Sequence, residues 1–158
     1  MWLLATLLLG GSSQVPQVAR PIATAESLSI EVWEAGDPVV LIPGLFGSAF
    51  GFRKLLPLLH AAGYRAIVIE PLGVGSSARP EGADYSLAAQ ATRIAAVLDA
   101  LHVHKAIVIA HSMGASEAFR LAYRRPDLVK GVVASAKAAD RLVGWPSHTP
   151  MDDSRSDL

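Results

Sequence analysis

Apolar runs alternate with helical patterns along most of the chain, and together they predict an α/β protein. Leu28–Trp33 alternates apolar and polar residues, which is typical of a half-buried strand near a sheet edge. Continuously apolar runs, the pattern of strands buried on both faces, lie at Val39–Ile42, Tyr64–Ile69, Lys105–Ala110 and Leu128–Ala134. Strands that alternate with helices favour a mostly parallel, doubly wound sheet with helices on both faces.

Three segments between these strands have helical spacing. Phe50–Ala62 carries leucines at helical intervals, but Pro57 lies inside it and is expected to bend or split the helix. A second helix is predicted over Ser86–Leu101, with its serine as the N-terminal cap. A third helix is predicted from about Met113 to Arg125, where Pro126 ends it.

The two ends of the chain do not read as parts of this sheet. Trp2–Leu9 is apolar but far shorter than the roughly 20 residues of a membrane-spanning helix. It suits a signal peptide over residues 1–13, although the absence of Lys and Arg leaves a short packed helix or a mis-assigned start open. A signal peptide predicts a secreted or periplasmic protein, and without one the protein is cytoplasmic. Residues 14–26 read as a linker, and 145–158 as a polar tail.

Composition narrows the classes of function. The 158 residues suit a single domain, here residues 27–144, and a hydrophobic fraction of 51% indicates a globular chain. Fourteen basic and fourteen acidic residues cancel, so no nucleic-acid partner is predicted. The chain has no cysteine, which excludes disulfides, thiolate metal sites and a cysteine nucleophile. No His, Asp and Glu cluster has metal-ligand spacing, so neither a metal nor a cofactor is expected.

The segment with the clearest chemistry is Ile107–Ser116, in which a buried strand runs directly into a helix. Ser112 lies on the turn, with the small residues Ala110 and Gly114 two positions to either side. Such a turn strains the serine backbone and lifts the hydroxyl clear of the sheet, and small neighbours let strand and helix approach closely. The amides that begin the helix then point at a developing oxyanion. A serine that only caps the helix is the alternative.

Three further motifs accompany this turn. Pro43–Gly47 is a Pro-Gly loop after a buried strand, and Glu70–Ser77 is an acidic residue followed by a Gly-x-Gly-x-Ser turn. The latter lacks the third glycine of a nucleotide-binding loop. Arg124–Val129 reads Arg-Arg-Pro-Asp-Leu-Val. Together with the Ala-x-Ser-x-Gly turn at 110–114, these motifs resemble the N-terminal portion of the α/β-hydrolase family over about Leu28–Ala136.

The resemblance implies a serine hydrolase that acts on an ester or a related acyl bond of a small molecule, without a cofactor. By this resemblance Ser112 is the nucleophile, and the backbone N–H groups of Leu45 and Met113 are the oxyanion donors. Serine at the nucleophile position argues against the dehalogenase branch, which uses aspartate there. The family also includes amidases, peptidases, carbon–carbon bond hydrolases, acyltransferases and haloperoxidases, so the resemblance does not select the substrate.

The rest of the family pattern is harder to find. In the family an acid and then a histidine follow the nucleophile, but here the sheet pattern stops near Ala136. We therefore expect a sheet truncated after about the sixth family strand, whose free edge could self-associate with another chain. Asp140 and His148 are the candidate acid and base, in a segment that supports them poorly. The expectation is a catalytically incomplete serine hydrolase, and the alternative is a non-catalytic truncated product or pseudo-enzyme scaffold.

Overall fold

The structure, a computed structural model, describes residues 27–33 and 36–135. Its centre is a five-stranded sheet of order β1-β3-β2-β4-β5. The strands are β1 (Ser29–Trp33), β2 (Asp37–Ile42), β3 (Tyr64–Glu70), β4 (Ala106–His111) and β5 (Val129–Ser135). Strand β1 pairs antiparallel with β3, and the other three pairs are parallel. The predicted mostly parallel sheet is confirmed, with β2 between β3 and β4.

Helices cover both faces of this sheet. They are α1 (Leu56–Ala61), α2 (Leu87–Ala100) and α3 (Met113–Arg124). The single helix predicted over residues 50–62 is wrong in extent, because a 3-10 helix at Ala49–Phe52 and a separate α1 occupy this segment. Pro57 lies in the first turn of α1, where its missing N–H leaves no helical hydrogen bond unmade. The segment is therefore divided at residues 53–55, just before the helical turn that contains Pro57.

The buried strands read as continuous apolar runs because each of their faces meets a different core. Val40 and Ile42 of β2 pack in the larger cluster, which includes residues of α2 and α3. Val39 and Leu41, which point to the opposite face, pack with Leu56 of α1 in the smaller cluster. Successive side chains of a strand point to opposite faces, so a strand between two helix layers must be apolar at every position.

The Arg-Arg-Pro-Asp motif connects α3 to β5 through charged contacts. The Arg125 guanidinium donates to both carboxylate oxygens of Asp99, on α2, at 2.8 Å, and to Asp127 at 2.7 Å. These hydrogen bonds hold the pKa of both carboxyl groups below the ordinary value. The motif thus ties the end of α2 to the turn that precedes β5.

Strand β5 is an edge of the described sheet, since β4 is its one partner among the described strands. Val133, on this strand, leaves 40% of its surface exposed. Self-association through this edge stays a prediction. The described residues include no helix with the length and apolar character needed to cross a membrane. The predicted leader, linker and tail, and the domain boundaries at 27 and 144, lie at or beyond the limits of the described residues.

Candidate active site

Ser112 occupies a one-residue turn between β4, which ends at His111, and α3, which begins at Met113. Its backbone has φ 51° and ψ −121°, a conformation that non-glycine residues rarely adopt. The side chain makes no capping hydrogen bond to α3, and the residue is exposed. Ser112 therefore does not make the side-chain capping bond that the alternative interpretation requires. The strained turn instead leaves the hydroxyl available to another group.

Close packing against β2 explains the small residues around this turn. A Cβ atom at Gly114 would lie 2.6 Å from the carbonyl oxygen of Pro43 and 2.8 Å from that of Ile42. A Cβ atom at Gly44 would lie 2.9 Å from the Ser112 Cβ. Contacts this short are absent from real structures, so both positions require glycine. The loop that follows β2 is thereby packed directly against the serine.

This loop, Gly44–Ser48, is called the β2 loop below, and it contains the first candidate oxyanion donor. The Gly47 N–H donates to the Gly44 carbonyl at 2.8 Å, which closes a tight turn around Leu45. The second candidate donor, Met113, is the first residue of α3, where backbone N–H groups have no partner within the helix. Gly44 packs against Ser112, and each candidate donor follows one of these two residues in the chain: Leu45 follows Gly44, and Met113 follows Ser112.

Large apolar side chains lie exposed beside the β2 loop. Phe46 is 99% exposed, and Phe50, in the 3-10 helix, is 69% exposed. The guanidinium of Arg53 stacks over the Phe50 ring, 4.0 Å from its centroid. This segment therefore presents aromatic surface that an apolar group of a bound molecule could contact.

Comparison with known proteins identifies the family to which this arrangement belongs. Residues 37–155 match the family described as the alpha/beta hydrolase fold. The chain belongs to the α/β-hydrolase family. The match begins at the first residue of β2 and includes every described element from there to β5. The resemblance inferred from the sequence motifs is confirmed.

Similar members of the α/β-hydrolase family include two epoxide hydrolases. The enzyme from Caballeronia sordidicola is 33% identical over 114 residues, which are 70% of this chain and 34% of that protein. Epoxide hydrolase B from Mycobacterium tuberculosis is 33% identical over 126 residues, which are 77% of this chain and 35% of that protein. The 2-hydroxymuconate semialdehyde hydrolase of Pseudomonas sp. strain CF600 is 32% identical over 142 residues, 87% of this chain and 48% of that protein.

Solved structures of the family agree. An epoxide hydrolase from Vigna radiata superposes with a TM-score of 0.71 at 25% identity, covering 78% of this chain and 41% of that one. Epoxide hydrolase A from Mycobacterium thermoresistibile gives a TM-score of 0.68 at 29% identity, covering 76% and 39%. The chain thus spans between a third and a half of the length of these α/β hydrolases.

An α/β hydrolase with a serine nucleophile needs a base, and the described histidines do not supply one. His60 packs edge-on against Trp33, with ring centroids 5.9 Å apart, and His102 and His104 lie exposed between α2 and β4. His111 is exposed and adjacent to Ser112 in the chain. No histidine or carboxylate of residues 27–33 and 36–135 hydrogen-bonds to Ser112. The candidate acid and base, Asp140 and His148, lie outside the described residues.

One ionisable residue near the serine turn escaped the sequence analysis. Glu117 is fully buried on α3, and neither of its carboxylate oxygens has a hydrogen-bond partner among the described residues. Burial raises the pKa of this carboxyl to about 7. The sequence did contain a signal for the burial of Glu117. This residue falls within the helical stripe of small and apolar residues that faces the core. That stripe comprises Gly114, Ala115, Ala118 and Leu121.

The described part of the chain also bears on metal binding. Across residues 27–33 and 36–135, the His, Asp and Glu side chains form no group of three that could hold a metal ion.

Proposed function

We propose that Ser112 is the nucleophile of an acyl hydrolase, with the N–H groups of Leu45 and Met113 as the oxyanion donors. One observation carries this proposal: the exposed serine, with its positive φ, stands between a buried parallel strand and a helix without capping that helix. The packing of Gly44 against the serine side chain supports the assignment of the β2 loop, which contains Leu45, to the same site as Ser112.

The reaction follows from this arrangement. The Ser112 oxygen attacks the carbonyl carbon of an ester while a base takes the hydroxyl proton, and the carbonyl oxygen becomes an oxyanion. The two N–H groups and the start of α3 stabilise that charge. Collapse of the tetrahedral intermediate expels the alcohol, which receives the proton, and leaves an acyl-serine that water hydrolyses. Asp140 and His148 are the candidate acid and base for these proton transfers, and we expect the triad of this chain to be incomplete.

The names of the relatives raise epoxide opening as a second candidate. Attack by a carboxylate on an epoxide carbon gives an ester, whose carbonyl water can attack to release the diol. Attack by Ser112 would give an ether, which offers water no carbonyl and would not turn over. A hydroxyl nucleophile therefore favours an acyl substrate over an epoxide. Turnover of styrene oxide that depends on Ser112 would contradict this choice.

Covalent labelling tests the nucleophile directly. We expect a fluorophosphonate ester to modify Ser112 at least about tenfold faster than Ser116, because only the former is beside the proposed oxyanion donors. Ser116 is the matched internal control, since it is exposed on the same helix one turn later. Peptide mapping by mass spectrometry gives both rates, with and without imidazole as an external base. Equal rates at the two serines, or no label at Ser112, would contradict the proposal.

Turnover of an activated ester is expected to be weak. Oxyanion stabilisation and binding alone leave about 10³–10⁴-fold catalysis over water, and no described base assists Ser112. Replacing Ser112 with alanine should therefore change the hydrolysis of a short-chain nitrophenyl ester little. The variant matched to Ser112→Ala is His148→Ala, which removes the candidate base. Robust hydrolysis that both substitutions abolish would show a working triad and contradict the expectation of an incomplete one.

A further inference from the structure

We propose that Glu70 is a positioning residue, which holds the β2 loop in register with Ser112 through the backbone of Ala49. The inference rests on the proposed function, because it concerns the loop that carries the Leu45 amide. Glu70 is the last residue of β3, and only 3% of its surface is exposed. A buried carboxyl group at the end of a strand needs hydrogen-bond donors around it.

The carboxyl group of Glu70 joins two separate pieces of backbone. One oxygen accepts the N–H of Ala49, the residue directly after the β2 loop, at 2.7 Å. The other accepts the N–H of Ser76, in the turn after β3, at 2.6 Å. Both distances are short for N–H···O bonds and fit charge-assisted ones, which are about twice as strong as neutral ones. The side chain therefore fastens the end of the β2 loop to the β3 turn.

The turn after β3 is built around this carboxyl group. Gly75 has φ +54°, and a Cβ atom there would collide with the carboxylate of Glu70. The Ser77 hydroxyl donates to the backbone carbonyl of Glu70 at 2.6 Å. The glycine thus leaves the space that the carboxyl fills, which fixes where its oxygens point.

The other hydrogen bonds of the β2 loop are local. Gly47 donates to Gly44 within the loop, and Gly51 donates to Ser48 within the next turn. The Phe46 side chain is exposed and contributes little packing. The bond from Ala49 to Glu70 is different, because it connects the loop to another strand.

This connection matters for the proposed chemistry because oxyanion donors act only at short range. They must lie about 2.7–3.1 Å from the oxygen, and a displacement of about 1 Å can lower a rate 10²-fold. Strand β2 fixes the loop before Leu45, and Glu70 fixes it afterwards. A loop fastened at both ends holds its amide still while charge develops on the substrate.

Two substitutions break this connection in different ways. Glu70→Gln preserves volume but turns one acceptor oxygen into an NH₂ group that faces a backbone N–H. Ala49→Pro removes the donor instead, at the first position of a 3-10 helix, where proline is tolerated. Gln90→Leu is the matched control. Its side chain bonds the N–H and carbonyl of Leu72 in the same turn but does not bond the β2 loop.

We expect Glu70→Gln and Ala49→Pro each to lower kcat for nitrophenyl acetate about tenfold or more. KM should change less than about twofold, since the loss falls on the transition state. Gln90→Leu should lower the melting temperature comparably but preserve kcat. In Glu70→Gln, amide hydrogen exchange should also speed up at Ala49 or at Ser76, whichever N–H faces the new NH₂ group. These losses are expected whether or not Ser112 contributes to the rate. The proposed oxyanion donors are backbone N–H groups, and they do not depend on the Ser112 hydroxyl.

The proposal would be overturned if kcat fell equally in Gln90→Leu and Glu70→Gln, or if neither Ala49 nor Ser76 exchanged faster in Glu70→Gln. Failure of the proposed function would look different. It would appear as equal fluorophosphonate labelling of Ser112 and Ser116, whereas exchange at Ala49 and Ser76 reports on Glu70 in either case.

Discussion

Replacement of Gly114 with valine is expected to destabilise the fold by about 3 kcal/mol, the upper range for overpacking a tight site. The added Cβ would meet the carbonyl oxygens of Pro43 and Ile42 at 2.6 and 2.8 Å. Ile42 is the last residue of β2, a strand that pairs with both β3 and β4, and Pro43 follows it directly, so this backbone has little freedom to move aside. Urea unfolding measures the change in the free energy of unfolding.

Gly131→Val provides the matched comparison. Apart from its neighbours in sequence, no described residue has a heavy atom within 4 Å of the position that a Cβ would take at Gly131, and the residue lies in β5, where valine is favoured. We expect this variant to be as stable as the parent or slightly more so. If both valine variants unfolded at the same urea concentration, the close approach of α3 to β2 would not be the constraint described above.

The buried carboxyl of Glu117 is expected to make the protein less stable as the pH rises from about 4.5 to about 7. The native state holds its proton up to a pKa of about 7, while the unfolded chain releases it near 4.5. The stabilisation is therefore complete below the lower value and lost as the pH passes through the higher one. The difference amounts to about 3 kcal/mol, at 1.36 kcal/mol per pKa unit. Denaturant unfolding at pH 5 and pH 8 measures it.

Two substitutions isolate this effect from other titrating groups. Glu117→Gln keeps the shape of the side chain, and Glu117→Leu also removes its polar atoms. In both variants the loss of stability between pH 5 and pH 8 should be smaller than in the parent by about the same 3 kcal/mol. Glu117→Leu should be the more stable of the two, because a buried polar group without a partner is costly. An unchanged pH dependence in both variants would refute the assignment.

The sequence predicted those features that depend on neighbours along the chain. Val39–Ile42 reads as a fully buried strand because all its positions are apolar, and the structure confirms it as the centre of the sheet. The Ala-x-Ser-x-Gly pattern likewise predicts the turn at Ser112, since small residues at fixed spacing are its steric requirement. The fold class and the serine turn could therefore be inferred before the structure.

Other features depend on contacts that no local pattern contains. The leucine spacing in residues 50–62 suits one helix, and nothing in it distinguishes the separate 3-10 helix at its start. The sequence showed Glu70 only as the acidic residue before a Gly-x-Gly-x-Ser turn, but its bond to Ala49 joins segments brought together only by β3 and β2. The base could not be assigned for the same reason. A histidine acts as the base only if the fold places it beside the serine, and no local pattern shows this.

The position of the serine at the end of β4, packed against the β2 loop, also makes it a reporter of folding. Ile42 pairs with Ala110, although the whole of α1, β3 and α2 lies between these residues in the chain. Such distant pairings form slowly compared with a local helix. The environment of Ser112 is therefore complete only when the central sheet has formed, and not when α3 alone has formed. The moment at which Ser112 becomes reactive during refolding would therefore report the formation of the central sheet.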